Sequence, residues 1–327
     1  MYDGKHIAPR SNRLLVAGHD IQLPTFFPSV SSVKTSLAPY ECLRVLVAVR
    51  YPHFLVSAYD VNNSAHGKRM VRHLGKGIKD GATVLLDSGN YEGYWSQDKH
   101  WTFDKYLHAI RGGNYHLAFS FDNQEPSKNV TSNARDIEKR VTSTIKRVPQ
   151  VSIIPIIHGK SSDLPRIARM VAKRLRPLML AIPERALGEG LIARVKTLYA
   201  IRREMQDLGE YLPIHLLGTG NPLSLLLFSA FGADSFDGLE WCQTAVDHST
   251  GLLHHFQQRE LFSCQCPFCK AADIPYAQTT LAHNLDFYLR WTEYLRASIA
   301  NEKVDEALRA HFSTEFLSSL QTEIERT

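Results

Sequence analysis

Three cysteines stand close together in the last quarter of the sequence, at Cys264, Cys266 and Cys269. Thiols at this spacing are typical of a metal site in a reducing compartment, because a disulfide framework would spread its cysteines along the chain. The other two cysteines, Cys42 and Cys242, stand alone and are interpreted as small core residues.

A closed tetrahedral site needs a fourth ligand beside the three thiolates. His283 is the best candidate, and His248, His254 and His255 compete with it. No ligand position is left open in such a set. The sequence therefore predicts a structural zinc ion that clamps the segment after the last strand to a C-terminal helix.

Acidic residues follow several short apolar runs, and general acid/base chemistry needs carboxylates gathered in one place. The residues at the ends of these runs are Asp60, Asp87, Asp122, His158, Gly218 and Asp237. If the runs are parallel strands of one barrel, these side chains all lie at its carboxyl-terminal mouth, where such enzymes hold their active sites. A purely structural interpretation stays open, because polar residues also appear at strand ends without any function.

Eight apolar runs alternate with amphipathic stretches. The predicted strands are Pro24–Val30, His53–Ala58, Thr83–Leu86, His116–Phe121, Val151–Ile157, Leu178–Ile182, Pro213–Leu217 and Asp234–Phe236. Several are apolar throughout, as in a parallel sheet covered by helices on both faces. Predicted helices between them include Asp163–Leu175, Leu191–Leu208 and Pro222–Ala230.

This alternation predicts an α/β fold, a (β/α)8 TIM barrel with a zinc-binding subdomain. A doubly wound sheet competes, but no glycine-rich dinucleotide turn supports it. We expect residues 1–261 to form the barrel, with Gly238–Leu261 irregular. Residues 262–327 are expected to add the zinc segment and the helices that complete the barrel, the tail helix beginning near Thr280.

The composition fits an ordinary globular enzyme, with 44% hydrophobic and 22% charged residues among 327. No apolar run is long enough to cross a membrane and the N-terminus does not resemble a signal peptide, so we expect a cytoplasmic protein. The net charge of +5 is compatible with a polyanionic partner. Two basic clusters stand out, although either could be a solvated helix face: Lys68, Arg69, Arg72, Lys76 and Lys79, and Arg166, Arg169, Lys173, Arg174 and Arg176.

Local motifs along residues 20–290 resemble the tRNA-guanine transglycosylase superfamily. The motifs are Pro24-Thr-Phe-Phe-Pro28, Leu86-Asp87-Ser88-Gly89, Phe121-Asp122, Leu217-Gly218-Thr-Gly-Asn-Pro222, Gly232-Ala-Asp-Ser-Phe236-Asp237, the cysteine cluster and His283-Asn-Leu. The resemblance implies an enzyme that exchanges guanine in a nucleic acid for a 7-deazaguanine base such as preQ0.

The resemblance also assigns roles to residues. Asp237 matches the nucleophile that attacks the ribose C1′ atom, and Asp87 matches the general acid/base. Asp122 matches the residue that holds the polar edge of the base. The base-binding loops match Ser88, Gly89, His158 and Gly159, and the zinc ligands match Cys264, Cys266, Cys269 and His283. Exchange at one anomeric carbon with retention requires two displacements through a covalent intermediate, and the target nucleotide must be unpaired or flipped out.

Four departures from the family pattern matter. Asn90 replaces the second glycine of the Asp-Ser-Gly-Gly loop, and His158 replaces a glutamine, which alters the contacts to the base. The base-holding loop continues as Asn123-Gln124-Glu125. The arginine-rich segment with which the tRNA enzymes read the anticodon loop is absent after Asp237, and we expect no C-terminal RNA-binding domain.

This pattern is closer to the branch that inserts 7-deazaguanines into DNA, so DNA is the favoured substrate. A tRNA-directed enzyme is the nearest alternative. Two further alternatives belong to other classes: a catalytically silent partner subunit, which should have lost its carboxylates, and a zinc-dependent nucleic-acid-binding module. The sequence leaves a homodimer or partner proteins open.

Overall fold

The structure, a computed structural model, describes residues 10–33, 35, 37–62 and 65–326. An antiparallel hairpin of β1 (Arg13–Val16) and β2 (His19–Gln22) precedes a parallel sheet of eight strands. These strands are β3 (Thr25–Val30), β4 (His53–Ser57), β5 (Thr83–Asp87), β6 (Leu117–Phe119), β7 (Ser152–Ile154), β8 (Leu180–Pro183), β9 (Ile214–Leu217) and β10 (Ser235–Gly238).

The eight strands form a closed barrel. Their hydrogen-bonded order is β7-β6-β5-β4-β3-β10-β9-β8, with every neighbouring pair parallel. A parallel bridge between Ile156 and Ala181 joins the two remaining edges. Each of the eight predicted runs overlaps one of these strands, so the predicted (β/α)8 barrel is confirmed.

Both faces of the barrel sheet are buried, which is why its strands are continuously apolar. Phe26 and Phe236 point outward into the core between sheet and helices. Phe27, Leu85 and Phe119 point inward, and side chains from the β1–β2 hairpin join their cluster. The hairpin therefore helps to fill the barrel interior from the end opposite the predicted site.

Helices follow the strands and form the outer layer. They are α1 (Pro39–Ala48), α2 (Ala58–Val61), α3 (Gly67–Lys79), α4 (Asn90–Trp95), α5 (Phe103–Arg111), α6 (Val130–Arg147), α7 (Leu164–Leu175), α8 (Leu191–Glu204) and α9 (Pro222–Ala230).

The start of helix α9 shows how the local sequence determines where a helix begins. The Asn221 side chain accepts hydrogen bonds from the backbone N–H groups of Leu223 and Ser224, and Pro222 occupies the first turn.

The segment after β10 is more ordered than predicted. It contains α10 (Glu240–Gln243), a hairpin of β11 (Thr244–Val246) and β12 (Leu253–His255), and a 3-10 helix over Phe256–Leu261. The prediction of an irregular segment was wrong here, because strands of three residues are too short to show an alternating pattern.

Four helices complete the chain: α11 (Pro267–Lys270), α12 (Tyr276–Ala300), α13 (Val304–His311) and α14 (Thr314–Glu325). Helix α12 begins four residues before the predicted Thr280 and packs against α1, α9 and β3. It thus covers the barrel where the last strand meets the first. None of the helices in the described part of the chain is both long and apolar enough to span a membrane.

A buried ion pair fixes the start of β10, at the end of the barrel away from the predicted site. Asp234 and Arg202 are both almost fully buried and form a salt bridge. The Asp234 carboxylate also accepts hydrogen bonds from Arg10 Nε (2.8 Å), the Tyr211 hydroxyl (2.7 Å) and the Ile214 N–H (2.9 Å). A buried carboxylate with this many hydrogen-bond donors contributes to stability. It lies at the end of the barrel opposite the predicted active site.

We expect Asp234→Asn to lower the free energy of unfolding by about 3–5 kcal/mol, because it leaves the buried Arg202 guanidinium uncompensated. The matched control is Asp20→Asn, which removes an exposed pair in which Arg13 and Asp20 are 58% and 43% exposed. The free energy of unfolding of Asp20→Asn should fall by less than about 1 kcal/mol. Urea unfolding of both variants measures the difference, and equal losses would contradict the assignment.

Candidate functional site at the barrel mouth

Asp237 lies at the mouth end of β10 and is held from three directions. Its Oδ2 accepts a hydrogen bond from the Ser29 hydroxyl of β3 at 2.7 Å. Its Oδ1 lies 3.0 Å from Nε2 of His215 on β9 and accepts the Gly218 N–H at 3.2 Å. Because β3 and β9 are the two neighbours of β10, closure of the barrel sets the position of this carboxylate.

Asp87 ends β5 and begins the loop that carries Ser88 and Gly89. Its Oδ2 accepts the Gly89 N–H at 2.9 Å. Gly89 adopts φ +76°, and a Cβ atom there would lie 2.6 Å from the Tyr59 backbone nitrogen. Only glycine combines this left-handed backbone with so close an approach. The loop geometry therefore depends on Gly89, and it directs the Asp87 carboxylate to the mouth.

Burial raises the pKa of Asp87 well above its usual range, because the charged form loses its hydration. The negative charge of Glu92 raises it further, and Asp122 and Asp237 add smaller contributions in the same direction. The hydrogen bond from Gly89 opposes the shift without cancelling it. The surroundings of Asp87 therefore favour its protonated form.

Asp122 follows β6 and is the centre of a hydrogen-bond network. Its Oδ1 accepts the Ser88 hydroxyl at 2.9 Å and the Asn90 amide at 2.8 Å. Its Oδ2 lies 2.6 Å from His158 Nε2 and accepts the Gln124 amide at 2.6 Å. Three of the predicted base-binding residues, Ser88, Asp122 and His158, are thus brought together. The network also includes Asn90 and Gln124, which stand at positions where the chain departs from the family pattern.

The surroundings of Asp122 lower its pKa, whereas those of Asp87 raise its pKa. Burial works to raise the pKa of Asp122, but the bond and charge of His158 and the bonds from Asn90 and Ser88 outweigh it, so the pKa is lowered. Asp122 is accordingly an anionic hydrogen-bond acceptor. It suits a ligand edge that donates N–H groups, such as the Watson–Crick edge of a guanine-like base.

Gly159 lies beside this network and in contact with α7. A Cβ atom at this position would come 2.9 Å from the terminal methyl of Ile167 and 3.7 Å from the Asn133 amide nitrogen. That amide donates to the His158 carbonyl at 2.8 Å. The structure therefore places Gly159 in the support behind His158.

Asp60 does not join the group formed by Asp87, Asp122 and Asp237. It lies in α2, fully buried, and accepts the Ser32 N–H at 2.7 Å. The nearby Glu92 of α4 accepts the Ser31 hydroxyl at 2.6 Å. Two adjacent serines therefore anchor two carboxyl groups in a layer behind Asp87. Burial and the charge of Asp60 raise the pKa of Glu92 to about 7, against the bond from Ser31.

Cys264, Cys266, Cys269 and His283 form a compact group in which all four ligand atoms lie within 4.8 Å of one another. His283 Nδ1 lies 3.6 Å from Cys266 Sγ and 3.4 Å from Cys269 Sγ. Tetrahedral coordination with ordinary zinc bond lengths requires a sulfur–nitrogen separation of about 3.5 Å. These four residues could therefore hold a metal ion, and the choice of His283 over its three competitors agrees with the geometry.

The surroundings of the group also suit metal-bound thiolates. His283 Nε2 lies 2.7 Å from the Val246 carbonyl, so it carries the proton and leaves Nδ1 free to coordinate. Arg259 donates to Cys269 Sγ at 3.4 Å, and the backbone N–H of Cys266 donates to Cys264 Sγ at 3.4 Å. His248 stacks on the His283 ring at 4.1 Å and thereby orients it.

Sequence reasoning missed three residues that contact or influence the mouth carboxylates: Ser29, His215 and Glu92. His215 sits within an otherwise apolar strand, and the alternation of inward and outward side chains along β9 could have placed it inside the barrel. Glu92 gave no signal, because its surroundings depend on Ser31, which follows β3, and on Asp60 of α2, both distant in sequence.

No protein-family model matches the chain, but several known proteins of one name are similar to it. The tRNA-guanine(15) transglycosylase of Methanopyrus kandleri is 24% identical over an alignment of 335 positions, gaps included, which covers 94% of this chain and 71% of that protein. Proteins of the same name from Korarchaeum cryptofilum and Methanococcus aeolicus are 31% and 29% identical over segments covering 32% and 34% of this chain and 18% and 20% of theirs.

The raised pKa of Glu92 predicts a pH-dependent stability. Because the pKa lies near 7 when folded and near 4.5 otherwise, its contribution to stability is complete below about pH 4.5 and is lost as the pH rises toward 7. We expect Glu92→Gln to reduce the drop in unfolding free energy between about pH 5 and pH 8 by on the order of 2 kcal/mol.

Urea unfolding at the two pH values measures this difference, and the exposed Glu210→Gln is the matched control. An unchanged drop in Glu92→Gln would mean that Glu92 does not titrate in this window.

Proposed function

Because the chain belongs to the tRNA-guanine transglycosylase superfamily, we propose that it exchanges a guanine in a nucleic acid for a 7-deazaguanine base. The observation that carries the proposal is the contrast between two mouth carboxyls. Asp237 is fixed by Ser29, His215 and Gly218, as a nucleophile must be, whereas burial raises the pKa of Asp87 and so favours its protonated form. A fixed nucleophile beside a protonated acid is the arrangement that base displacement requires.

In the first displacement, an Asp237 carboxylate oxygen attacks C1′ of the target nucleotide. The bond from C1′ to N9 of guanine breaks, and N9 takes its electron pair together with the proton of Asp87. A glycosyl ester on Asp237 and a free guanine result. Proton donation to the leaving base lowers the barrier, and the raised pKa of Asp87 suits a group that must be protonated near neutral pH.

The second displacement reverses the first with another base. Asp87, now a carboxylate, takes the N9 proton of the incoming 7-deazaguanine, whose N9 attacks C1′ and breaks the ester to Asp237. Both carboxyl groups return to their starting states, so the exchange needs no redox cofactor or ATP. Two inversions at C1′ give net retention.

Asp122 is proposed to hold the base while this happens. Its anionic carboxylate would accept N–H groups of the guanine-like ring, with Ser88, Gly89, His158 and Gly159 shaping the pocket around it. His158 in place of a glutamine presents an imidazole to Asp122, and this changes which donors remain available to the base.

DNA is the favoured nucleic acid. Residues 238–258 contain no lysine or arginine, and the segment directly after Asp237 carries Glu240 instead. The Glu240 side chain lies against Gly220 and Gly238, so closely that a Cβ atom on either glycine would clash with Oε2. A segment built in this way lacks the cations with which a tRNA enzyme would read the anticodon loop.

A tRNA substrate is the second candidate, and the names of the relatives favour it. Either polyanion would be attracted by α3, whose Lys68, Arg69, Arg72, Lys76 and Lys79 are all exposed and form no ion pair within the described part of the chain. The basic residues of α7 are less available, because Arg169 pairs with Glu204 and Asp207, and Arg174 pairs with Glu138.

The metal in the Cys3His group is proposed to be a structural zinc ion. Zinc bound there would tie the segment that contains α11 to α12 and, through the His283–Val246 contact, to β11. We therefore propose the division expected above, with residues 1–261 as the catalytic barrel and residues 262–327 as the zinc segment and helices that complete it. The packing of α12 on β3 and α1 supports this division.

We expect labelled guanine or preQ0 to enter double-stranded DNA when the wild-type protein is present, and Asp237→Asn to reduce the rate at least about a thousandfold because the covalent route is lost. Asp20→Asn, at the opposite end of the barrel, is the control. Parallel reactions with bulk tRNA identify the nucleic acid.

Label found only in tRNA would replace the DNA assignment by the tRNA one. Exchange that survives in Asp237→Asn would contradict the nucleophile. Nucleic-acid binding without exchange in the wild type would favour the silent subunit or the binding module.

We expect metal analysis of the purified protein to find about one zinc ion per chain, and Cys269→Ser to lose it with a clear fall in thermal stability. Cys42→Ala removes a buried thiol outside the group and should keep the zinc. Equal zinc content in both variants would contradict the assigned ligands.

A further inference from the structure

Two exposed aromatic residues, Tyr94 and Trp95, form a patch at the end of helix α4, directly after the Asp87–Gly89 loop. Their side chains are 65% and 51% exposed. Their rings pack edge to face at 5.8 Å, and Trp95 contacts the Tyr91 ring in the same way at 6.1 Å. This row of rings begins at Tyr91, two residues after the Asp87–Gly89 loop. Adjacent exposed aromatic side chains are characteristic of binding surfaces.

An open cavity of about 370 Å³ lies between Tyr94 and Trp101. The Trp101 indole forms a firm wall, because its Nε1 donates to the Ser88 carbonyl at 3.2 Å and its ring packs against Tyr59 at 5.3 Å. Gly93 lets α4 approach this wall, since a Cβ atom there would lie 3.2 Å from Trp101. The cavity has the size of an ordinary small-molecule site.

The cavity is joined to the candidate base-binding network. Asn90 lines the cavity, and its amide donates to both the carbonyl and the carboxylate of Asp122 at 2.8 Å. Trp101 is linked to the same network through Ser88. A ligand in the cavity would therefore lie next to the base held by Asp122, separated from it by the Asn90 side chain.

Positive charge flanks the aromatic patch. Lys99 is exposed on the lip of the cavity. Arg185 is exposed on the other side, where its guanidinium lies 5.8 Å from the Tyr91 ring and donates to Gln124 at 3.0 Å. The one carboxylate lining the cavity, Asp98, accepts a hydrogen bond from the His100 N–H at 2.8 Å. Aromatic rings between cations match a single-stranded nucleic acid, whose bases stack and whose phosphates are anionic.

We propose that Tyr94, Trp95 and the adjoining cavity bind an unpaired nucleobase next to the target nucleotide. This inference rests on the proposed function and adds to it that the substrate strand is held open beside the exchanged base.

The test compares Trp95→Ala and Trp95→Phe in base exchange on a guanine-containing single-stranded DNA oligonucleotide. We expect Trp95→Ala to raise the KM for the oligonucleotide about tenfold or more, since a stacking contact is lost. The KM for the free base should not change, because the base binds elsewhere. Trp95→Phe should restore most of the affinity. Leu15→Ala, an equally exposed apolar residue on the hairpin at the far end of the barrel, is the matched control.

An abasic site beside the target guanine identifies the contact. In the wild type, an abasic neighbour on one side should raise the oligonucleotide KM as much as Trp95→Ala does, and the combination should add nothing further. Equal KM values for Trp95→Ala and wild type, or fully additive effects, would overturn the proposal while leaving the exchange activity established. Normal oligonucleotide binding with lost self-association would also overturn it, and would assign the patch to a protein contact.

Failure of the proposed function gives a different result. If the wild type exchanges no base in DNA or tRNA, fluorescence anisotropy with labelled single-stranded DNA and RNA still measures binding to the patch. Weaker binding by Trp95→Ala than by Leu15→Ala would support the nucleobase contact without the exchange reaction. Equal binding by the two variants would overturn it.

Discussion

The crowding of carboxyl groups at one end of the barrel is the constraint on which the site depends. The charges of Glu92, Asp122 and Asp237 all raise the pKa of Asp87; those three residues are buried, and Asp87 is partly buried. Negative charges gathered in such surroundings would repel one another, so the fold must either neutralise them with protons or surround them with hydrogen-bond donors. It does both, and the choice differs from one carboxyl to the next.

The hydrogen-bond donors are distributed unevenly among these carboxyl groups, and this difference gives the groups different chemical roles. Asp122 accepts hydrogen bonds from Ser88, Asn90 and Gln124 besides its contact with His158, whereas among the described residues Asp87 accepts a hydrogen bond only from the Gly89 N–H. The pKa is therefore lowered for Asp122, after β6, and raised for Asp87, at the end of β5, although burial acts to raise both. Separation of the pKa values of neighbouring carboxyls is how a single site provides both an acid and a negatively charged acceptor.

The strands, the metal ligands and the mouth carboxylates could be predicted from the sequence, because they depend on local patterns. Apolar runs marked the strands, and the spacing of Cys264, Cys266 and Cys269 marked the metal group. The supports of the site were harder to predict. His215 and Ser29 contact Asp237 only because β9 and β3 flank β10 in the closed barrel. The β11–β12 hairpin was missed for a related reason, since its strands are too short to carry a period and Val246 is fixed by Asn284 and His283 of α12.

An acidic mouth raises a problem for any enzyme that must admit a nucleic acid, because its carboxylates repel phosphates. The raised pKa of Asp87 and the contact between Asp122 and His158 both act to reduce the negative charge at the mouth. The exposed cations lie outside the mouth, at Lys99, Arg185 and along α3. This arrangement would hold the backbone at the rim while only an uncharged base enters between the carboxylates. The charge pattern thus favours a nucleotide turned out of its helix, with its phosphates kept at a distance from Asp237.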